Sequence, residues 1–421
     1  MTFTRPYFFA IITTEKRELM GFIKTPVKGM RDFLPEEMAL REYVLNVMKD
    51  TYENFGFSLI GTPTVEHIEN LTSNQGGENE KLIFKILKRG EKLDLKSENV
   101  SDLVDSGLRY DLTVPLSRFY ASHMNELSSP FRAFQVGYSY RAERPQRCRY
   151  RELMQCDLDI LGEKTCLAEI ELITAVITFL KKLDFQNFKI RINDRRILLK
   201  MIEYIGLPLE KVDSILIILD KMDKIGLEGV TKELENLGLE SEKVKSYLQL
   251  FKEDKTDLTS FCDSFDLESD ILENLKEIMD AIKNVLQVDL VFDPTLVRGM
   301  GYYTGPIFEI SADGLSSSIG GGGRYDKMIE NFAGISVPAV GFSVGFERLL
   351  LLLEERGFKV PEEKEKIAFV LKSDSKLKEV CNEAMKLRSD NKIVKIVYRN
   401  KNFKFQKENL EKEHYEIKEI W

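Results

Sequence analysis

The chain has 421 residues, 43% of them hydrophobic and 31% charged, with 69 acidic and 61 basic side chains for a net charge of −8. That length exceeds one ordinary domain and supports a sizeable core, which points to two or three domains in a soluble globular chain. The acidic balance excludes a global positive field, so any contact with nucleic acid must come from local basic patches.

The five cysteines (Cys148, Cys156, Cys166, Cys262 and Cys381) form no CxxC pair, and their odd number suits reduced thiols in a cytoplasmic protein. His67, His123 and His414 are far apart and lack ligand spacing, which argues against a zinc site or a histidine-based triad. No apolar run reaches membrane-spanning length, and PYFFAII near the N-terminus is too short for a signal segment. Residues 1–19 read as an N-terminal extension, with Met20 as an alternative start.

In chain order, the stretch from Gly29 repeats Leu40, Tyr43, Val44, Val47, Met48, Tyr52 and Phe55 at helical spacing, and Gly56 stops it. FSLIGTPTVE follows as one strand with Pro63 near its end. This long helix and strand serve either a dimer contact or packing on a sheet. KLIFKILKR reads as hairpin strands before a polar loop. In LRYDLTVP, Asp111 and Thr113 share a side if extended; they either hold an ammonium group or cap a helix.

Residues 131–161 read with period two as two strands joined by a charged loop. Phe134, Val136, Tyr138 and Tyr140 share one face, and Ala133, Gln135, Gly137 and Ser139 the other, leading to Arg141 and Glu143. On the second strand Met154, Cys156, Leu158 and Ile160 are the apolar side, with Gln155, Asp157 and Asp159 opposite. The loop carries Arg141, Arg144, Arg147, Arg149 and Arg151. A polar sheet face opening onto five guanidinium groups suits a zwitterion and a polyphosphate; the alternative is a solvated hairpin.

A helix (AEIELITAVITFLKKLD) and a strand (FKIRIND) follow. Residues 195–285 are helical and interrupt the strand texture, so they read as an insertion, with no chemistry-bearing motif. Strands return from 288, with VDLVFDP, TLVRGMGYYTGPIFEIS and SSSIGGGGRYD. Arg298 precedes the Gly- and Tyr-rich GMGYYTG, and GGGGR (Gly320 to Arg324) lacks the Lys-Ser/Thr of a phosphate loop. These glycines permit close backbone approach to a ligand, with Tyr302 and Tyr303 as walls, or else mark a tight hairpin with a bulge. VPAVGFSVGFERLLLLLEERG is a strand or turn and then a helix; Arg348 either points back over the sheet or is solvated. A polar linker leads to a small α/β unit over 366–421. Lysines and arginines between Lys386 and Lys407, with Tyr398, Phe403 and Phe405 interleaved, form either a nucleic-acid backbone patch or ordinary solvated faces.

Together these stretches resemble class II aminoacyl-tRNA synthetases, and within them the histidyl-tRNA synthetase family. GMRDFLP is similar to that family's opening motif, GFSLIGTPTVE to motif 1, YRAERPQRCRYRELMQCDLDILG to motif 2 and VGFSVGFERLL to motif 3. LVRGMGYYTGPIFE and SIGGGGRYD are similar to its two histidine-specific peptides. The resemblance implies an α+β fold: an antiparallel sheet flanked by helices, split by a helical insertion (catalytic parts 20–194 and 286–358), and a reduced C-terminal α/β domain resembling an anticodon-binding module. It implies ATP-dependent activation of histidine and its transfer to tRNA(His) by a cytoplasmic homodimer, with Mg2+ bridging phosphate oxygens.

By the same likeness, Arg141 and Arg298 would hold the α-phosphate, Arg149 and Arg348 the outer phosphates, and Glu143 the adenine amine. Asp111, Thr113 and Gln155 would bind the amino group or carboxylate of histidine. Asp159 and Tyr303, with Tyr302 beside them, would meet the imidazole. The chain departs from the family at Cys148, where glycine is usual, at Gly301, often Asp, and in its short C-terminal segment. Two other readings compete: a non-catalytic regulatory subunit of ATP phosphoribosyltransferase, and a silent tRNA-binding or dimerisation module. The full arginine set favours the enzyme.

Overall fold

Pro35 opens the first helix, α1 (Pro35–Asn54), where a missing N–H is harmless, and Glu36 and Glu37 follow at the positive end of the helix dipole. Gly56, at φ +76°, turns the chain out of it. The buried face of α1 includes the expected Leu40, Val44, Met48 and Tyr52, and two residues the spacing did not single out, Thr51 and Arg41, the latter 1% exposed. Its guanidinium gives two parallel hydrogen bonds to Glu347, at 2.7 and 2.8 Å. Phe33 covers it at 4.0 Å.

This computed structural model describes residues 22–72, 79–93, 96–97, 99–145, 149–185, 188–251, 257–265, 267–298, 301–312, 318–361 and 364–420. The expected extension over 1–19, Arg147 and Cys148 in the arginine-rich loop, and Gly299 lie outside the described residues. The chain divides into a unit spanning 1–357 and one spanning 358–421.

FSLIGTPTVE is two strands in two sheets, not one. β1 (Ser58–Ile60) runs parallel to the hairpin, whereas β2 (Val65–His67) joins a small sheet with β3 (Lys85–Leu87) and β4 (Val104–Leu108). Pro63 lies in the break between them, as expected of a residue that cannot donate to a ladder. KLIFKILKR contributes only the short β3. α2 (Ile68–Thr72) packs on β2 and β4, and α3 (Thr113–His123) is tied to β2 by the 2.6 Å bond from Arg118 to Glu66.

The hairpin forms as its alternation predicts: β5 (Phe131–Tyr140) and β6 (Glu152–Leu161) pair antiparallel over their full length. α4 (Leu167–Lys182) packs against their apolar side, and β7 (Phe188–Asp194) follows. The helical stretch comprises α5 (Arg195–Ile205), α6 (Val212–Leu219), α7 (Met222–Asn236, broken at Gly226), α8 (Ser241–Gln249), α9 (Leu258–Ser264) and α10 (Ser269–Leu286). α10 lies against α4 and β7, so the last of these helices packs on the sheet itself.

β8 (Leu290–Phe292), β9 (Pro306–Ala312) and β10 (Gly320–Arg324) come next. α11 (Asp326–Ala333), β11 (Ala339–Gly345) and α12 (Phe346–Glu355) complete the unit. GGGGR is therefore a sheet strand, not a hairpin turn. The main sheet has the order β1-β5-β6-β11-β10-β9-β7-β8, antiparallel throughout except for its two short parallel edges. Arg324 ties β10 to α4 through two 2.7 Å bonds to the fully buried Glu169.

In the second unit, β12 (Lys366–Leu371), α13 (Leu377–Ser389), β13 (Ile393–Tyr398), α14 (Phe403–Lys412) and β14 (Glu416–Ile420) make a three-stranded parallel sheet with two helices. Ile367, Phe369 and Leu371 pack one face of β12, and Ala368 and Val370 the other, as a central parallel strand requires.

Candidate functional site

Side chains of a strand alternate between faces, so pairing across six strands lines up rows of residues on one face. One row reads Gln135, Asp157, Ser343, Gly321, Glu309 and Arg191, each paired with the next on the neighbouring strand. Asp159 sits two residues along β6 between Ala133 and Gly341, and Gln155 two residues the other way between Gly137 and Gly345. This face is the floor of a cleft of about 800 Å3. Every residue to which the resemblance gives a role lines it: Asp111, Thr113, Arg141, Glu143, Arg149, Gln155, Asp159, Arg298, Tyr302, Tyr303 and Arg348; of the other loop arginines, Arg144 and Arg151 do not.

Two glycines make room for charged groups lying across the strands. A Cβ on Gly321 would stand 2.8 Å from Nη1 of Arg298, and one on Gly341 would stand 2.1 Å from Oδ1 of Asp159. The β10 glycines thus admit the protein's own arginine and tyrosine side chains to the sheet surface, and backbone φ is not what demands them.

Arg298 donates to Glu309 at 3.0 Å, and Arg191 also bonds that carboxylate, with Asp293 at 3.0 Å behind it. Burial alone would lower the Arg298 pKa. Tyr303, Glu309 and Asp220 outweigh it, so the cation is held above its ordinary value. Arg141 lies over the Tyr110 ring at 4.4 Å and donates through Nε to the Tyr110 carbonyl. Arg149 stands 3.7 Å from Glu143. Arg348, in the first turn of α12, points back over the sheet and donates to the Ser318 carbonyl at 2.6 Å. Asp111 and Thr113 are not an extended pair. Thr113 begins α3, and the Asp111 carboxylate accepts from Val114 N at 3.1 Å, so Asp111 caps the helix while lining the cleft.

The carboxylates on the floor are held close together in little water. Burial pushes Asp157 up to about 7, with Asp111 raising it further against a hydrogen bond from Ser343. Burial, and then Asp157, pushes Asp159 well above the usual carboxylate range. The Tyr325 hydroxyl donates to Oδ1 of Asp159 at 2.5 Å. Oδ2 of Asp159 and Oε1 of Gln155 are buried acceptors with no hydrogen-bond partner among the described residues. An acceptor left so costs about 1–3 kcal/mol, which a donor brought by a ligand would recover.

Five contributors were missed in the sequence: Asp157, Arg191, Glu309, Tyr325 and Ser343. Alternation puts Asp157 on the polar face but gives it no role. The Gly-Phe-Ser-Val-Gly alternation at 341–345 was the available signal for Ser343. The helical stretch also lines the cleft, with Ile217, Leu219, Met222, Leu248 and Phe251 offering an apolar wall. Its Asp213 pairs with Arg195 at 2.5 Å and stands 3.6 Å from where a Cβ on Gly301 would be. A carboxylate therefore stands close to the position where the family often has Asp. Among the described residues, no group of three or more His, Cys, Asp or Glu is arranged to hold a metal ion.

The family model for histidyl-tRNA synthetase matches residues 29–349. A histidine–tRNA ligase of Leifsonia xyli subsp. xyli is 46% identical over 347 residues, 78% of this chain and 80% of that protein. A solved histidyl-tRNA synthetase from Nostoc sp. PCC 7120 superposes with a TM-score of 0.75 at 26% identity, covering 93% of this chain and 90% of that one. A protein described as an ATP phosphoribosyltransferase regulatory subunit/histidyl-tRNA synthetase, from Bacillus halodurans, shares the fold with a TM-score of 0.74 at 21% identity, over 95% of this chain and 98% of that one.

Proposed function

The chain belongs to the histidyl-tRNA synthetase family, and from that premise we propose how its cleft performs the reaction. The protein is a histidine–tRNA ligase, an aminoacyl-tRNA synthetase that uses ATP. The histidine carboxylate attacks the α-phosphorus of ATP and pyrophosphate leaves; a terminal ribose hydroxyl of tRNA(His) then attacks the adenylate carbonyl and AMP leaves. These steps need positioning and positive charge around the phosphates more than acid–base groups.

The observation that carries the assignment is the pair of unpartnered buried acceptors, Gln155 Oε1 and Asp159 Oδ2. Histidine brings two kinds of donor, an ammonium group and a ring N–H. Gln155, with Asp111 and Thr113, takes the ammonium; Asp159 and Tyr303, beside Tyr302, take the imidazole. A site whose polar groups are paired only by the right substrate rejects look-alikes strongly. Arg141 and Arg298 hold the α-phosphate, Arg149 and Arg348 the outer phosphates, and Glu143 the adenine amine. Glu309 and Arg191 support this by fixing Arg298 before the nucleotide arrives. A guanidinium in a fixed fork is pre-organised for phosphate oxygens.

Mg2+ fits this site only as a companion of ATP. The carboxylates nearest the arginines, Glu143 and Glu309, face Arg149 and the Arg191–Arg298 pair. Mg2+ that keeps phosphate and water ligands needs no protein cage, and no step here runs through it. A second copy of the chain packs on the β1 edge, where Leu59 is exposed. The protein works in the cytoplasm; among the described residues no helix is long and apolar enough to cross a membrane. Residues 366–421 form a reduced anticodon-binding-like module.

A regulatory subunit would share this fold, so the arginine set is what speaks for the enzyme. The test is histidine-dependent exchange of labelled pyrophosphate into ATP by the wild type and by Arg298→Ala. The wild type is expected to exchange, and the variant to lose exchange while still binding histidine. No exchange by the wild type, with stimulation of a phosphoribosyltransferase partner, would sink the enzyme reading.

A further inference from the structure

Gln155 can offer histidine either end of its amide. A carbonyl facing the cleft attracts an ammonium group, whereas an NH2 repels it, and the two orientations have nearly the same shape. What surrounds the amide on β11 and β6 decides between them. Gln155 Nε2 lies 3.0 Å from Ser343 Oγ, and Ser343 Oγ lies 2.5 Å from Asp157 Oδ1. An ionised carboxylate can only accept, so the single Ser343 hydrogen is committed to Asp157. The serine oxygen is then left as an acceptor, which only the NH2 end of Gln155 can satisfy. Oε1 must face away, and it is one of the cleft's two buried acceptors without a partner among the described residues.

We propose that Ser343 and Asp157 form a relay of positioning residues that fixes the polarity of Gln155, so that its carbonyl meets the α-ammonium of histidine. This rests on the reading of the cleft as a histidine site. None of the three is free to be oriented by other groups. Gln135, opposite Asp157 on β5, is committed to Thr62 and the Leu112 carbonyl. Among the described residues, the Ser343 bond is the one hydrogen bond made by the Asp157 carboxylate.

The relay is reversible. A protonated Asp157 donates to Ser343, Ser343 turns its hydrogen to Gln155, and the amide rotates to present NH2 to the cleft. The charged groups around Asp157 come from several elements. Asp111 precedes α3, Asp159 shares β6, Arg109 follows β4 and Arg141 follows β5, while Tyr302 and Tyr303 approach from the segment before β9. Their balance, dominated by burial, leaves Asp157 titrating at about 7. The relay therefore reverses as pH falls through neutrality, and recognition of the ammonium weakens.

The experiment measures, by calorimetry from pH 5.5 to 8, the affinity of the full chain for histidine and for 3-(imidazol-4-yl)propionate, which lacks the ammonium. The ammonium makes the ring of histidine less basic than that of the propionate, so each affinity is first corrected for the titration of its own ring, and the preference is the ratio of the corrected values. In the wild type the preference for histidine is expected to fall roughly tenfold from pH 8 to pH 5.5. Ser343→Ala should have a lower preference at pH 8 and a flat profile, and Asp157→Asn, nearly isosteric and unable to titrate, should also be flat. A wild-type ratio that stays constant, or one that still falls in Asp157→Asn, overturns the relay. Wild type that binds neither compound fails the histidine-site reading itself, and the relay with it.

Discussion

Replacing Gly321 by alanine tests whether the arginine over β10 works as described. The added Cβ would sit 2.8 Å from Nη1 and 2.9 Å from Cζ of Arg298, and 2.9 Å from the backbone oxygen of Phe308. Ordinary contacts lie near 3.5–4.0 Å, so the guanidinium must retreat by about 0.6–1.2 Å. The Phe308 oxygen, held in β9, can yield only by opening the β9–β10 ladder. Overpacking of this kind costs about 1–3 kcal/mol of stability. A 1 Å misplacement of a positioning group costs on the order of 100-fold in rate. Gly321→Ala should therefore lower pyrophosphate exchange about 100-fold. Gly334→Ala is the matched control. Gly334 has φ +69° and nothing within 4 Å of a Cβ, so alanine there costs about 1–2 kcal/mol of backbone strain far from Arg298. Gly321→Ala with wild-type exchange, or Gly334→Ala with the same loss, would refute the reasoning.

Two more outcomes follow from the floor of the cleft. Tyr325→Phe removes the donor to Asp159 Oδ1 and leaves that carboxylate with no hydrogen bond from the protein among the described residues. The KM for histidine should rise by about 10-fold or more, as expected for 1–3 kcal/mol, while kcat changes less; an unchanged KM would remove Tyr325 from the site. The second outcome concerns pH. Asp157 has a raised pKa in the fold, from 3.8 to about 7, so the stability it contributes is complete below pH 3.8 and lost as pH rises through about 7. Over those units the loss is on the order of 4 kcal/mol. Denaturant melts without ligand should show Asp157→Asn gaining on the wild type between pH 4 and pH 8. A stability difference that does not vary with pH would contradict the burial of this charge.

Local pattern carried the β5–β6 hairpin, α1 and the helical stretch, because period two and period 3.6 are visible within a few residues. It carried the arginines as well, through the resemblance of the motifs around them. What it could not carry was register. Asp157, Ser343, Glu309 and Arg191 form one row only because strands distant in sequence pair in one particular alignment, and alternation names a face without naming the neighbour across it. Tyr325 reaches Asp159 for the same long-range reason. Gly320 to Gly323 left two readings open: glycine is depleted in strands, so the run reads either as backbone open to close approach or as a hairpin with a bulge, and it is a strand whose bare backbone lets Arg298 lie on the sheet. Pro63 looked like the end of a strand and instead separates two strands in different sheets. The helical stretch showed no motif because its part of the cleft is an apolar wall, indistinguishable in sequence from core.

The central claim is that this cleft charges tRNA. Purified protein, given ATP, Mg2+, labelled histidine and tRNA(His), should accumulate acid-precipitable histidyl-tRNA, and should not do so with another tRNA or when histidine is replaced by its look-alikes. Formation of no charged tRNA by folded protein that binds histidine and ATP would contradict the account.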